Sequence, residues 1–125
     1  MKKSNIIKWF SQPEPHNYPA AMSYLCLIFD EDHAGAMVGK LKKAKITEFK
    51  AKDIFRASGL SLLGISNLHV KKNLKKIKNG QKMSPILLVR NPGMGKVIVA
   101  DGYHRMCAVY EFDEDAILKC KIVIV

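Results

Sequence analysis

Asp101, His104 and Arg105 fall within the stretch Asp101-Gly102-Tyr103-His104-Arg105, and each brings a different capability to a phosphate. Arg105 carries a planar, permanently charged fork that matches an oxyanion. His104 donates or accepts a proton near neutral pH. Asp101 has two competing readings: ahead of a helix, its carboxylate caps the first amides, or it coordinates magnesium or takes up a proton. Gly102 permits close backbone approach or an unusual dihedral. Tyr103 offers a ring to stack on a base, or it fills core space.

The flanking sequence sets how these side chains are presented. Val97 to Ala100 is a short apolar run, rich in β-branched residues, that reads as a strand, and Met106, Val109 and Tyr110 recur at helical spacing. Gly102 to Arg105 then form the first turn of a helix, where backbone N–H groups lack intrahelical partners and carry the positive end of the helix dipole. Such a junction is an anion site. The expectation is a phosphate or nucleotide pocket held by Gly102, Tyr103, His104 and Arg105, with His104 or Asp101 handling a proton and Asp101 holding magnesium. Each residue also has an ordinary structural role: Arg105 can pair with Asp101, Glu111 or a C-terminal carboxylate, and His104 can be a hydrogen-bonded structural histidine.

The stretch Val97 to Tyr110, with Val70 to Arg90 before it and Leu118 to Val125 after it, resembles the ParB/sulfiredoxin superfamily, in which a strand leads through a glycine-containing turn to an arginine at the start of a helix. The likeness spans about residues 65–125. It implies a small α+β domain, a mixed sheet with packed helices, and a nucleotide with magnesium as ligands. Tyr103 stands where sulfiredoxin has its reacting cysteine, so sulfiredoxin chemistry is not implied, because a phenol does not replace a thiolate near neutral pH. Partition proteins continue into a further box and a helix-turn-helix domain, whereas the sequence given stops after the closing strand, so their sliding-clamp behaviour is not implied either. The free serine kinases of the superfamily carry an Asp-Gly-His-His-Arg turn, one residue away from Asp101 to Arg105. Magnesium-dependent phosphoryl transfer or phosphoester hydrolysis is the chemistry this resemblance suggests, and fold alone does not choose among them.

The 125 residues suffice for a single domain with an ordinary core, and 48% hydrophobic with 26% charged residues is the balance of a soluble globular chain. No apolar run approaches the roughly 20 residues of a membrane span, and the start lacks the apolar region of a secretory signal, so the expected location is cytoplasmic. Cys26, Cys107 and Cys120 are odd in number and without ligand spacing; they read as small buried thiols, with Cys107 three residues past His104 as the redox alternative. A net charge of +10 attracts polyanions. Lys71, Lys72, Lys75, Lys76, Lys78 and Lys82 crowd one segment without an acid, and Glu111, Asp113, Glu114 and Asp115 form an acidic patch. This asymmetry supports a rival reading, a non-catalytic DNA- or RNA-binding accessory of a plasmid, phage or chromosome. Against it, the lysines are not interleaved with aromatic residues and would serve equally as a solvated face. An interaction module with a vestigial pocket is the remaining alternative.

Along the chain, residues 1–18 read as an arm whose Ile6, Ile7, Trp9 and Phe10 dock on a domain spanning 19–125. Pro19 opens a helix to about Phe29 with Met22, Leu25, Cys26 and Phe29 inward; Asp32 caps a second from His33 to about Lys45 with Met37, Val38 and Leu41 inward. Ile46 to Lys50 alternates as a strand. Ala51 to Ser58 is helical with Gly59 as its stop and Ile54, Phe55 and Leu60 in the core. Ser61 to Leu68 is a packed loop, and Val70, Leu74 and Ile77 mark the inner face of a helix ending at Asn79-Gly80. Pro85 to Arg90 and Lys96 to Ala100 make a hairpin through Asn91 to Gly95, a turn without Walker spacing, and Leu118 to Val125 is the last strand. His33 and His69 have no ligand-spaced companions.

Overall fold

The computed structural model describes residues 6–125, and the first five residues of the expected arm lie outside them. Its scaffold is a four-stranded mixed sheet. In chain order the elements are β1 (Lys8–Trp9), α1 (Asn17–Leu25), α2 (Glu31–Lys43), β2 (Thr47–Lys50), α3 (Ala51–Ser58), α4 (Leu68–Lys78), β3 (Lys82–Met83), β4 (Ile86–Asn91), β5 (Lys96–Asp101), α5 (Tyr103–Phe112) and β6 (Ile117–Ile124). The sheet runs β2-β6-β4-β5, with β6 antiparallel to β2 and parallel to β4, and β4 antiparallel to β5. A separate parallel pair joins β1 to β3.

Helices cover both faces of the sheet, which explains why Ile86 to Val89 are four consecutive fully buried apolar residues. Strand alternation sends Ile86 and Leu88 into one layer with α3, α4 and α5, where they meet Ile54, Val70, Ile77, Met106 and Val109. Leu87 and Val89 enter the other layer with Ala21, Leu25, Met37, Val38 and Leu41 of α1 and α2. The chain is thus a small α+β domain with helices packed on a mixed sheet. The hairpin partner β5 carries a register irregularity: Leu88 faces Val99 while Leu87 faces Asp101, so one step on β4 spans two on β5. Such a bulge bends a strand and re-aims the side chains beyond it, and it falls immediately before Gly102.

Several boundaries differ from expectation for local reasons. Helix α2 begins two residues earlier, capped by Asp30 rather than Asp32, with the Asp30 carboxylate accepting from the His33 amide at 2.8 Å. Helix α1 starts at Asn17 and stops at Leu25, so Cys26 lies past its end and is exposed rather than buried, beside an exposed Leu27. Leu60 is likewise exposed, one residue beyond Gly59, which ends α3 in the left-handed conformation. In the N-terminal segment Ile7 and Trp9 pack on the core, whereas Ile6 and Phe10 remain exposed. Cys107 and Cys120 are buried, and burial pushes the Cys120 thiol up to about 12.

Lys121 breaks the apolar pattern of β6. It is 1% exposed, and its ammonium donates to the Tyr18 hydroxyl and to the Lys42 carbonyl, both at 3.1 Å. That carbonyl is one of the last of α2, so the buried charge satisfies a helix C-terminus from a neighbouring strand.

Candidate functional site

The end of β5 delivers Asp101, and Gly102 turns the chain into α5 with φ at 105°, a conformation glycine adopts freely. Space imposes a second requirement: a Cβ on Gly102 would lie 2.6 Å from Ile86 Cδ1 and 2.8 Å from Arg105 Nη2. The Arg105 guanidinium therefore lies against the glycine backbone.

Four acceptors hold that guanidinium. Nε donates to the Ser84 carbonyl at 3.0 Å, and Nη2 donates to Asp101 Oδ2 at 3.1 Å with longer contacts to Asn17 Oδ1 and the Pro85 carbonyl. Among the described residues Nη1 makes no hydrogen bond, which leaves its two N–H groups for a ligand. The Asp101 pairing expected as the structural alternative for Arg105 is thus present, and it is local rather than remote. Capping, the other role open to Asp101, is not what it does: among the described residues no side chain caps α5. Its carboxylate is occupied four residues ahead, and among the described residues no side chain claims the first amides of the helix.

These groups open on a polar cleft of about 240 Å³. Asp101 to Arg105 form one part of its lining. Helix α4 supplies His69, Asn73 and Lys76, β3 supplies Lys82, and the segment before α1 supplies Glu14 and His16. Three permanent cations thus face two carboxylates, in addition to the helix dipole. Asn67 caps α4 by accepting from the amides of His69 and Val70, which fixes the start of that helix beside the cleft. The His69 and His104 rings lie 4.9 Å apart. Burial first, and His69 second, hold the His104 imidazole below its usual range, so it is neutral at pH 7.

Tyr103 is half-buried and donates its hydroxyl to the Ser61 carbonyl, tying α5 to the loop before α4. Burial raises its pKa, with Cys107 adding to the effect, and burial raises the Cys107 thiol as well. Neither is ionised near neutral pH, so the turn holds no thiolate or phenolate nucleophile. A second cavity of about 470 Å³ shares Asp101 to His104 and is otherwise lined by Ala20, Tyr24, Leu60, Val99 and Ala100. One polar and one largely apolar recess therefore meet at the same turn.

The six lysines do not act as one group. Lys76 and Lys82 line the polar cleft. Lys72 and Lys75 are exposed on the adjoining side of α4, Lys71 lies on the far side, and Lys78 lines a different cavity with Glu111 and Asp113. Sequence reasoning missed Glu14, His16, His69 and Asn73. The spacing of His69, Asn73 and Lys76, one helical face, is the signal that could have found the last two.

A resident magnesium has a thin donor set here. Asp101 is the single carboxylate of the turn and already binds Arg105, and among the described residues no group of three His, Cys, Asp or Glu side chains is arranged to hold a metal ion. Among the described residues, too, no helix is long and apolar enough to cross a membrane. Compared with family models, curated proteins and solved structures, the chain finds no match.

Proposed function

We propose that the protein binds a phosphate-bearing ligand, a nucleotide, with its phosphate at Gly102 to Arg105. One observation carries this reading: the uncapped start of α5 and the positioned Arg105 fork line the same small polar cleft as Lys76 and Lys82. Free amides, a guanidinium held from behind and two ammonium groups are complementary to an oxyanion, and they outnumber the two carboxylates of the lining. Asp101 then serves as the residue that orients Arg105 and moderates its charge. The ParB/sulfiredoxin resemblance belongs to the same proposal, since the succession of β5, glycine turn and α5 is the one that superfamily would use to hold phosphate.

Neutral His104 beside the bound phosphate gives the cleft a group able to take a proton from an attacking hydroxyl. Catalysis is the extended form of the proposal, and binding is its base. A thermal-shift series with nucleotides and phosphorylated metabolites, with and without magnesium, tests it. A ligand at 100 times its Kd should stabilise the protein by about 2.7 kcal/mol, and Lys76→Ala with Lys82→Ala should abolish the shift. A flat response across all phosphate compounds would end the reading.

The DNA- or RNA-binding alternative gains from one finding, that Lys76 and Lys82 of the basic segment face this cleft and not a separate surface.

A further inference from the structure

We propose that the ligand is a single-stranded polynucleotide, one of whose phosphates occupies the cleft while the adjacent base sits in the cavity bordered by Tyr24 and Leu60. This rests on the phosphate-binding reading above and names its ligand class.

Size is the first argument. A recess of about 240 Å³ falls below the usual range for a whole drug-sized ligand, about 300–1,000 Å³, and its lining is polar apart from Met83 and the Tyr103 ring. Its largely polar, charged lining suits a phosphate better than a ring. The ring's place is the larger, apolar recess on the other part of the same turn, which Tyr24 and Leu60 border with half-exposed side chains.

Charge along and beside the cleft is the second. On α4, His69, Asn73 and Lys76 recur at i, i+4 and i+7 and line the cleft, and this stripe runs about 10 Å along the helix. Lys72 is exposed one step beside it. A nucleoside monophosphate has one phosphate for the cleft and none left for Lys72, whereas a strand brings the next one. The lysines on the opposite side of α4 do not extend the track, because Lys78 lines a cavity with Glu111 and Asp113.

Single strands are recognised where a basic groove follows the backbone and an aromatic ring receives an unstacked base. The basic segment contains no aromatic residue, but the fold brings Tyr24 from α1 to the turn. A duplex keeps its bases stacked and offers none to this recess.

The test is fluorescence anisotropy with a labelled strand of about twelve nucleotides, as RNA and as DNA, competed by AMP and by the duplex of the same sequence. The strand should bind at least about 100-fold tighter than AMP at low salt, with log K falling against log salt by about 0.7 per phosphate contacted. Lys72→Ala should reduce that slope by one such step, and Tyr24→Ala should weaken the strand about 5- to 150-fold. The better of RNA and DNA identifies the sugar recognised. Equal affinity for strand and AMP with no salt slope, or a duplex that competes as well as the strand, overturns this inference and leaves phosphate binding standing. Failure of both AMP and the strand to bind removes the phosphate reading itself.

Discussion

Arg105 Nη2 donates to Asp101 Oδ2 at 3.1 Å across the first turn of α5, so the acid just before the helix is bound to the helix's own arginine and not to its amides. The pair is largely buried, with side chains 18% and 16% exposed. It keeps the anion site open and at the same time lowers its positive potential. Asp101→Asn retains an acceptor for Nη2 while removing the opposing charge. Phosphate ligands should then bind several-fold tighter by calorimetry, at a stability cost of about 1 kcal/mol. A loss of affinity would mean that the carboxylate touches the ligand or its cation directly.

Gly102→Ala meets two obstacles at once, a left-handed backbone and a Cβ position already taken by Ile86 and Arg105. Unfolding in urea should show a loss of about 2 kcal/mol or more. Relief of the clash would also displace the guanidinium, so phosphate binding should weaken in whatever fraction remains folded. Parent-like stability and affinity together would contradict the geometry described at this turn.

Burial and His69 hold the His104 pKa below the ordinary imidazole value of about 6.5 in the free protein, and a bound phosphate would raise it. The complex then carries more protons than the free protein, so affinity should rise as the pH is lowered from 8 towards 6. His104→Asn should flatten that dependence in a calorimetric pH series. For folding the sign is opposite. A depressed imidazole pKa means that the unfolded chain binds more protons, so this group's contribution to stability is lost as pH falls below about 6.5. An affinity independent of pH would place the phosphate away from the imidazole.

Lys121 carries a buried charge with two neutral acceptors, and among the described residues no carboxylate pairs with it. An ammonium in such a place costs several kcal/mol that dipoles repay only in part. Lys121→Met should therefore leave the protein as stable as the parent or more so, by up to about 1 kcal/mol, while Lys121→Ala, which opens a cavity, should cost about 2 kcal/mol or more. Urea titrations of the two variants separate volume from charge. If both are equally destabilised, the Lys42 carbonyl and Tyr18 contacts outweigh the desolvation.

Local patterns made the strand, turn and helix around Gly102 legible, because Val97 to Val99 and the spacing of Met106 and Val109 each depend on neighbours in sequence. Val70, Leu74 and Ile77 were legible as an inner face for the same reason, and all three are buried. The cap of α2 was not, since Asp30, Glu31 and Asp32 can each offer an oxygen. The choice is fixed only when Ala34, Met37, Val38 and Leu41 dock on the sheet. Least legible was the company kept by the turn. Asn17 reaches Arg105 across 88 residues and Tyr103 reaches Ser61 across 42, and no spacing encodes such contacts. Capping and pairing with Arg105 were both open to Asp101 in the sequence, and the hydrogen bond to Arg105 is the one the fold selects.

Amide chemical shifts followed by NMR during a titration with AMP test the central claim most directly. The account predicts saturable shifts concentrated at the backbone amides of Gly102, Tyr103, His104 and Arg105, with smaller ones at Lys76 and Lys82. AMP binding that leaves those four amides unmoved, or no binding at concentrations where the cleft should fill, would contradict it.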